Sequence, residues 1–192
     1  MRALILAAAL AGLAVPSAAE TIRLTPASPQ PDAAALKPGL SVRYAYPPEV
    51  KDLREARHWL DEGAEPGEPL PNLRFKETME GEPTLTAAQA TRVAAEITGF
   101  VRFDSAGPMR VEFLSNDGLL VELGGQRISK HDGRHPCESD GYYDVEAPEP
   151  GWYEIRLTYF QRLGGACLLM RDGGPEGKLG WVADERFGHM AN

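Results

Sequence analysis

Gly151-Trp152-Tyr153-Glu154-Ile155-Arg156-Leu157-Thr158-Tyr159-Phe160 decides the fold class of this chain. Tyr153, Ile155, Leu157 and Tyr159 share one side of a two-residue period, and Glu154, Arg156 and Thr158 share the other. Successive side chains of a strand point to opposite faces, so this pattern predicts a half-buried strand. The same period extends outward from it. Val93, Ala95, Ile97, Val101 and Phe103 keep it, with Gly99 where a bulge or a close backbone approach is tolerated. Met109, Val111 and Phe113 alternate with Arg110, Glu112 and Leu114, and Leu119, Val121 and Leu123 resume after Asn116-Asp117-Gly118. Gly124-Gly125 is a hairpin signal, since both glycines tolerate positive φ, and Gln126 to Lys130 is its return strand. Tyr142 to Val145 gives a further short strand, Gly164-Gly165 turns the chain, and Ala166 to Met170 closes the set. Short strands at near-regular spacing, punctuated by Gly and Pro, predict an all-β sandwich or barrel. No sustained helical period, βαβ alternation or internal repeat competes.

Upstream the signal is thinner. Leu40 to Tyr46 alternates and stops at Pro47-Pro48. Leu53 to Leu60 reads as one or two helical turns, Asp61 to Pro71 as a Gly/Pro/acid loop, and Leu73-Arg74-Phe75 as a short strand. Glu20 to Pro38, rich in Pro and Ala and without a period, reads as a short irregular, extended lead-in. Met1-Arg2 supplies a positive charge, Ala3 to Val15 an apolar run, and Ser17-Ala18-Ala19 small residues before Glu20. Those are the three parts of a secretory signal. The run is shorter than the roughly 20 apolar residues of a membrane span, and no later segment is long and apolar enough to cross. The expected organisation is a signal peptide over 1–19, an extended lead-in over 20–37 and a β-sandwich over 38–172. A C-terminal tail over 173–192, with Leu179, Trp181, Val182 and Phe187, adds an edge strand or packs on the domain. The expected location is periplasmic or secreted, with no membrane insertion after cleavage.

The formal net charge is −8, and the leader carries one Arg and no acid, so its removal makes the chain more acidic still. An acidic surface repels phosphate backbones, which disfavours nucleic acid as a partner. The two cysteines, Cys137 and Cys167, read as one disulfide in an oxidising compartment. The bridge would close a loop of about 30 residues and contribute about 3.5 kcal/mol in the chain-entropy picture. Two separate buried thiols are the competing reading.

Catalytic motifs are missing. There is no Ser nucleophile elbow, phosphate loop or dinucleotide fingerprint. Carboxylates are numerous, but no motif pairs them at the separation that glycoside hydrolysis needs. The chain is therefore expected not to be an enzyme. His131-Asp132-Gly133-Arg134-His135, followed by Cys137, gathers possible zinc ligands, yet Gly133 and Pro136 argue against the helix that would align them. That segment reads as a solvated loop. Trp152, Tyr142 and Tyr143 could offer a sugar-stacking face. Trp152 reads as core, and the Tyr pair must split across a strand and leave one ring exposed.

The order of the pieces resembles the PA14 family. The matching stretches are Gly39-Leu40 to Tyr44, Gly99 to Phe103, Ser115-Asn116-Asp117-Gly118-Leu119, Gly151 to Phe160 and Gly164-Gly165-Ala166-Cys167-Leu168-Leu169, within Lys37 to Asp172. The resemblance implies a β-sandwich of the PA14 type and a non-catalytic role in binding, often of carbohydrate. Some sugar-binding members hold calcium with two consecutive Asp residues joined by a cis peptide, a downstream side-chain amide and backbone carbonyls. The acidic pair lands on Asn116-Asp117, the amide on Gln161, and the carbonyls on Leu163 and Gly165. One carboxylate is thus a neutral amide here, and the downstream amide carries an extra methylene. Calcium affinity rises with ligand charge, so a single carboxylate makes a weak site. The alternative is that Asn116-Asp117-Gly118 is only a strand-connecting turn, which its composition suits. The resulting expectation is an exported module binding carbohydrate or cell-envelope glycan, with calcium as a possible aid. Its rival is a metal-free structural module of the cell envelope, or one that binds an envelope protein.

Overall fold

The computed structural model describes residues 21–191, so the leader expected at 1–19 lies outside the described residues. The chain starts with β1 (Ile22–Arg23), β2 (Leu36–Pro38) and β3 (Ser41–Ala45), followed by α1 (Leu53–Gly63). Short strands β4 (Glu65–Pro66) and β5 (Arg74–Phe75) lead to the long strands β6 (Val93–Phe103) and β7 (Gly107–Asn116). The hairpin β8 (Leu119–Leu123) and β9 (Gln126–His131) comes next, then β10 (Glu138–Ala147), β11 (Gly151–Gln161) and β12 (Cys167–Gly173). The chain ends with β13 (Gly180–Trp181), a 3₁₀ turn and β14 (Phe187–Met190).

These strands form two sheets, and the architecture is a sandwich. One sheet runs β1-β10-β7-β12-β13, with β5 also on β12. The other runs β2-β14-β6-β11-β8-β9, with β3 on β6 and β4 on β3. The alternating residues read from the sequence are the core. Val93, Ala95, Ile97, Val101, Phe103, Tyr153, Ile155, Leu157 and Tyr159 are all at most 1% exposed. They pack against Val111, Phe113, Leu168 and Met170 of the facing sheet. Gly124 and Gly125 both have positive φ, as a tight two-residue hairpin requires.

Gly99 is a place of close approach rather than a bulge. β6 pairs with β11 without a register break from Val93 to Phe103. Along its other edge β6 is shared: β3 pairs with Ala94 to Thr98, and β14 pairs with Phe100 and Val101. Gly99 sits at the junction, and a Cβ there would lie 2.6 Å from the Gly188 carbonyl oxygen.

Four segments differ from the sequence reading. The lead-in is extended, but it is woven into the sandwich: β1 pairs in parallel with β10, and Leu24 is 2% exposed in the core. The Gln30 side chain bonds both the N–H and the C=O of Trp152, at 2.8 and 2.9 Å. Those partners lie more than a hundred residues away, so no local period announces them. The helix is longer than one or two turns because Asp52 caps it. Its carboxylate accepts from the Glu55 N–H at 2.7 Å, and Leu53, Ala56 and Leu60 form one buried face. That face covers Ala45, Ala94, Leu120 and Phe160 on the outer side of the larger sheet. The tail supplies an edge strand, β13 on β12, and goes beyond that reading by also inserting β14 between β2 and β6. The fourth difference, at His131 to His135, belongs to the apex described next.

Candidate functional site at the apex of the sandwich

The β7–β8 turn, the end of β11 and the loops before β10 and β12 meet at one end of the sandwich. The turn is stitched to β11 by Asp117 N–H to the Phe160 carbonyl (3.2 Å) and Phe160 N–H to the Gly118 carbonyl (3.0 Å). Gly118 has no room for a Cβ because the Phe160 ring occupies that space. The Asn116-Asp117 peptide is cis.

Asp117 is 1% exposed, an unusual place for a carboxylate. One of its oxygens accepts from the Arg162 N–H at 2.8 Å and the other from the His135 N–H at 3.3 Å. Burial pushes its carboxyl above the usual range, and the two backbone donors pull it partly back. One side chain thus ties the β11–β12 loop and the 132–137 loop to the turn. The Asn116 carbonyl accepts from the Tyr159 hydroxyl. Tyr159 is fully buried, and that burial holds its phenol well above its ordinary value.

Gln161 is also fully buried. Its amide nitrogen donates to the Leu163 carbonyl at 2.9 Å and to the Gly165 carbonyl at 2.8 Å. Its oxygen faces the Tyr159 hydroxyl at 3.4 Å. Gly165 packs against the Thr78 carbonyl so closely that no Cβ fits. The five residues singled out from the sequence, Asn116, Asp117, Gln161, Leu163 and Gly165, are therefore neighbours. Arg162, whose N–H anchors Asp117, carries no sequence signal for that role, because the contact is made by its backbone while its guanidinium pairs with Glu49.

This donor set has a definite relation to calcium, which takes about six to eight oxygens. Asp117, the Leu163 and Gly165 carbonyls, and the Asn116 and Gln161 amides supply oxygen ligands of the right kind. Gln161 now points nitrogen at the two carbonyls, so it must turn its amide over to present oxygen to an ion. The turned amide would then donate to the Tyr159 hydroxyl, which can still accept. With that change the residue types match those that hold calcium.

Cys137 and Cys167 are joined in a disulfide, so Cys137 is not a metal ligand. The bridge pins the segment after His135 to β12, opposite Asn116 in the β7–β12 register. His131 to His135 is only partly the solvated loop expected: Asp132 and Arg134 are exposed, but the two histidines turn inward. His135 is 9% exposed, and its ring stacks on that of His131. Glu138, which sequence reasoning did not connect with them, lies beside both. Burial, with the neighbouring His135, lowers the His131 imidazole from its usual range.

The aromatic candidates separate as expected. Trp152 is 8% exposed and Tyr142 is 54% exposed, with the Arg110 guanidinium 4.2 Å above the Tyr142 ring. At the far end of the larger sheet, beyond the reach of α1, an open polar groove of about 440 Å³ is lined by Thr98, Phe100, Glu122, Glu154, Arg156 and Met190.

No protein-family model and no curated protein matches the sequence. Solved structures do match the fold. The PA14 domain of the MpAFP antifreeze protein superposes with a TM-score of 0.68 at 13% identity, over 83% of this chain and 93% of that one. The PA14 sugar-binding domain from an RTX adhesin gives 0.62 at 12% identity, over 79% and 98%. The A domain of epithelial adhesin 9 from Candida glabrata, in complex with Galb1-4GlcNAc, gives 0.68 at 15% identity, over 89% and 97%. Two facing sheets and these superpositions together identify the fold of this chain as the PA14 fold.

Proposed function

We propose that this chain is an exported, non-catalytic module, periplasmic or secreted, that binds glycan at the apex of its sandwich. The observation that carries this reading is that Asp117 ties the Asn116-Asp117 turn to the β11–β12 loop at Arg162, next to Gln161, whose amide bridges the Leu163 and Gly165 carbonyls. The fold adds support: structural neighbours include a PA14 sugar-binding domain and adhesin domains in complex with galactose disaccharides. Calcium is the proposed aid, held weakly by Asn116, Asp117, Gln161, Leu163 and Gly165. The ion supplies a positive centre for sugar hydroxyls, and the protein residues fix where that centre lies. Export rests on the pattern of Met1 to Glu20. No helix among the described residues is long and apolar enough to cross a membrane.

The test is thermal unfolding with millimolar calcium or chelator, with and without β-lactose and Galb1-4GlcNAc. A ligand that binds only the folded state raises stability by RT ln(1 + [L]/Kd), so millimolar ligand registers even weak binding. The expected result is a rise in Tm with calcium and a further rise with disaccharide. Asn116→Asp restores a second carboxylate and is expected to tighten calcium at least about tenfold. If neither ligand moves Tm in either protein, the glycan reading fails.

One observation favours a second reading. The Gln161 amide already bridges the two carbonyls, and the Asp117 carboxylate already has two backbone donors, so the apex holds together without an ion. On that reading the chain is a metal-free structural module, or one that binds an envelope protein, and the flat outcome of the same experiment selects it.

A further inference from the structure

The histidine cluster beside the apex is not explained by glycan binding. His131 ends β9, His135 sits in the following loop and Glu138 opens β10. Their ligating atoms all lie within 4.8 Å of one another. The two imidazoles are face to face, with centroids 3.3 Å apart and planes 5° from parallel. A zinc ion with bonds of about 2.0–2.1 Å and tetrahedral angles places two nitrogen ligands about 3.3 Å apart. That separation is between nitrogens, not ring centres: imidazole lone pairs lie in the ring plane, so the half-buried His131 ring must turn out of the stack to share an ion with His135.

His135 supplies the decisive observation. Its Nδ1 lies 2.9 Å from the Pro136 carbonyl, which can only accept, so Nδ1 carries the hydrogen. The Nε2 lone pair is then free. It is buried, and it has no hydrogen-bond partner. A buried acceptor without a partner is costly. An imidazole that gives one N–H to a backbone carbonyl and keeps its other nitrogen unpartnered beside two further donor groups is set up as metal ligands usually are. The 132–137 loop is also fixed in place. The His135 N–H is held by Asp117, and the disulfide at Cys137 anchors the segment between the two ligands to β12.

We infer that His131, His135 through Nε2, and Glu138 bind a divalent transition-metal ion of the zinc class. Two imidazoles and one carboxylate suit zinc, whereas calcium takes oxygen ligands. Three protein ligands leave a fourth position, which water or another oxygen ligand fills from the Glu138 side, the exposed side of the cluster. The site shares no ligand with the apical oxygen set, although Asp117, which belongs to that set, also holds the His135 N–H.

The experiment is a zinc titration of the untagged, chelator-stripped protein by calorimetry in the presence of excess calcium. One equivalent is expected to bind, with calcium not competing. His131→Ala and Glu138→Gln are each expected to weaken zinc at least tenfold while leaving Tm in chelator unchanged. His135→Ala is expected to abolish binding, and because that residue is buried, the two half-exposed or exposed positions keep the test valid if the variant fails to fold. Cobalt(II) in place of zinc is expected to give the intense visible bands of a tetrahedral site. No stoichiometric zinc binding, or binding that survives both His131→Ala and Glu138→Gln, overturns the assignment.

Discussion

A carboxylate with almost no exposure persists only because something else needs it, and at Asp117 that something is two backbone N–H groups. Removing the side chain orphans the Arg162 and His135 donors in a buried place. Each orphan costs about 1–3 kcal/mol, so Asp117→Ala is expected to destabilise by about 3 kcal/mol in urea unfolding. Asp117→Asn keeps one acceptor and is expected to cost roughly half as much. A loss below about 1 kcal/mol for the Ala variant would mean that solvent reaches those donors. The sequence identified Asp117 by type and position but not its burial. The loops that cover it come from Arg162 and His135, 45 and 18 residues away along the chain.

Two elements carry their own predictions. α1 begins at an Asp52 cap, with the Glu55 carboxylate returning to the Lys51 N–H at 2.9 Å. Asp52→Ala is expected to cost about 1 kcal/mol, the usual loss for a helix cap. The Glu55 N–H beside it holds the Asp52 carboxyl below its ordinary range. A depressed acid contributes stability that is fully present above its unfolded value near pH 4 and is lost as pH falls through the lower folded value. Asp52→Asn should keep most of the cap and remove that part of the acid limb in a stability-versus-pH curve. At the strand junction, Gly99→Ala drives a methyl into the Gly188 carbonyl and the Leu40 side chain at a φ of 157°. A loss of about 3 kcal/mol is expected, since backbone cannot move aside as a side chain can. Retention of wild-type Tm would show that β3 and β14 can part there.

For the whole molecule, the disulfide joins the loop before β10 to β12, across a separation of 30 residues. The Cys137→Ala, Cys167→Ala protein is expected to lose about 3.5 kcal/mol in urea unfolding, from loop closure alone. It is also expected to bind zinc more weakly, because the segment between His135 and Glu138 is no longer held. If zinc affinity is unchanged while stability falls, the anchoring role is wrong and the ligands are positioned by Asp117 and the strands.

Residue pattern by itself determined the class of the molecule. The two-residue period in Tyr153 to Tyr159 and Val93 to Phe103 requires a sheet with one dry face, because any other geometry would bury Glu154 and Arg156 or expose Tyr153 and Leu157. Gly124-Gly125 required a tight hairpin, and the order of the motifs pointed to the PA14 fold and to Asn116, Asp117 and Gln161. What only the tertiary structure decided depends on contacts between distant segments. Leu24 joins the core through a strand partner in β10, β14 inserts between β2 and β6, and Glu138 comes up beside His131 and His135. A local period reports which face of a segment is apolar. It carries no information about which remote segment supplies the missing hydrogen bond or the third ligand, and at this apex those remote partners set the chemistry.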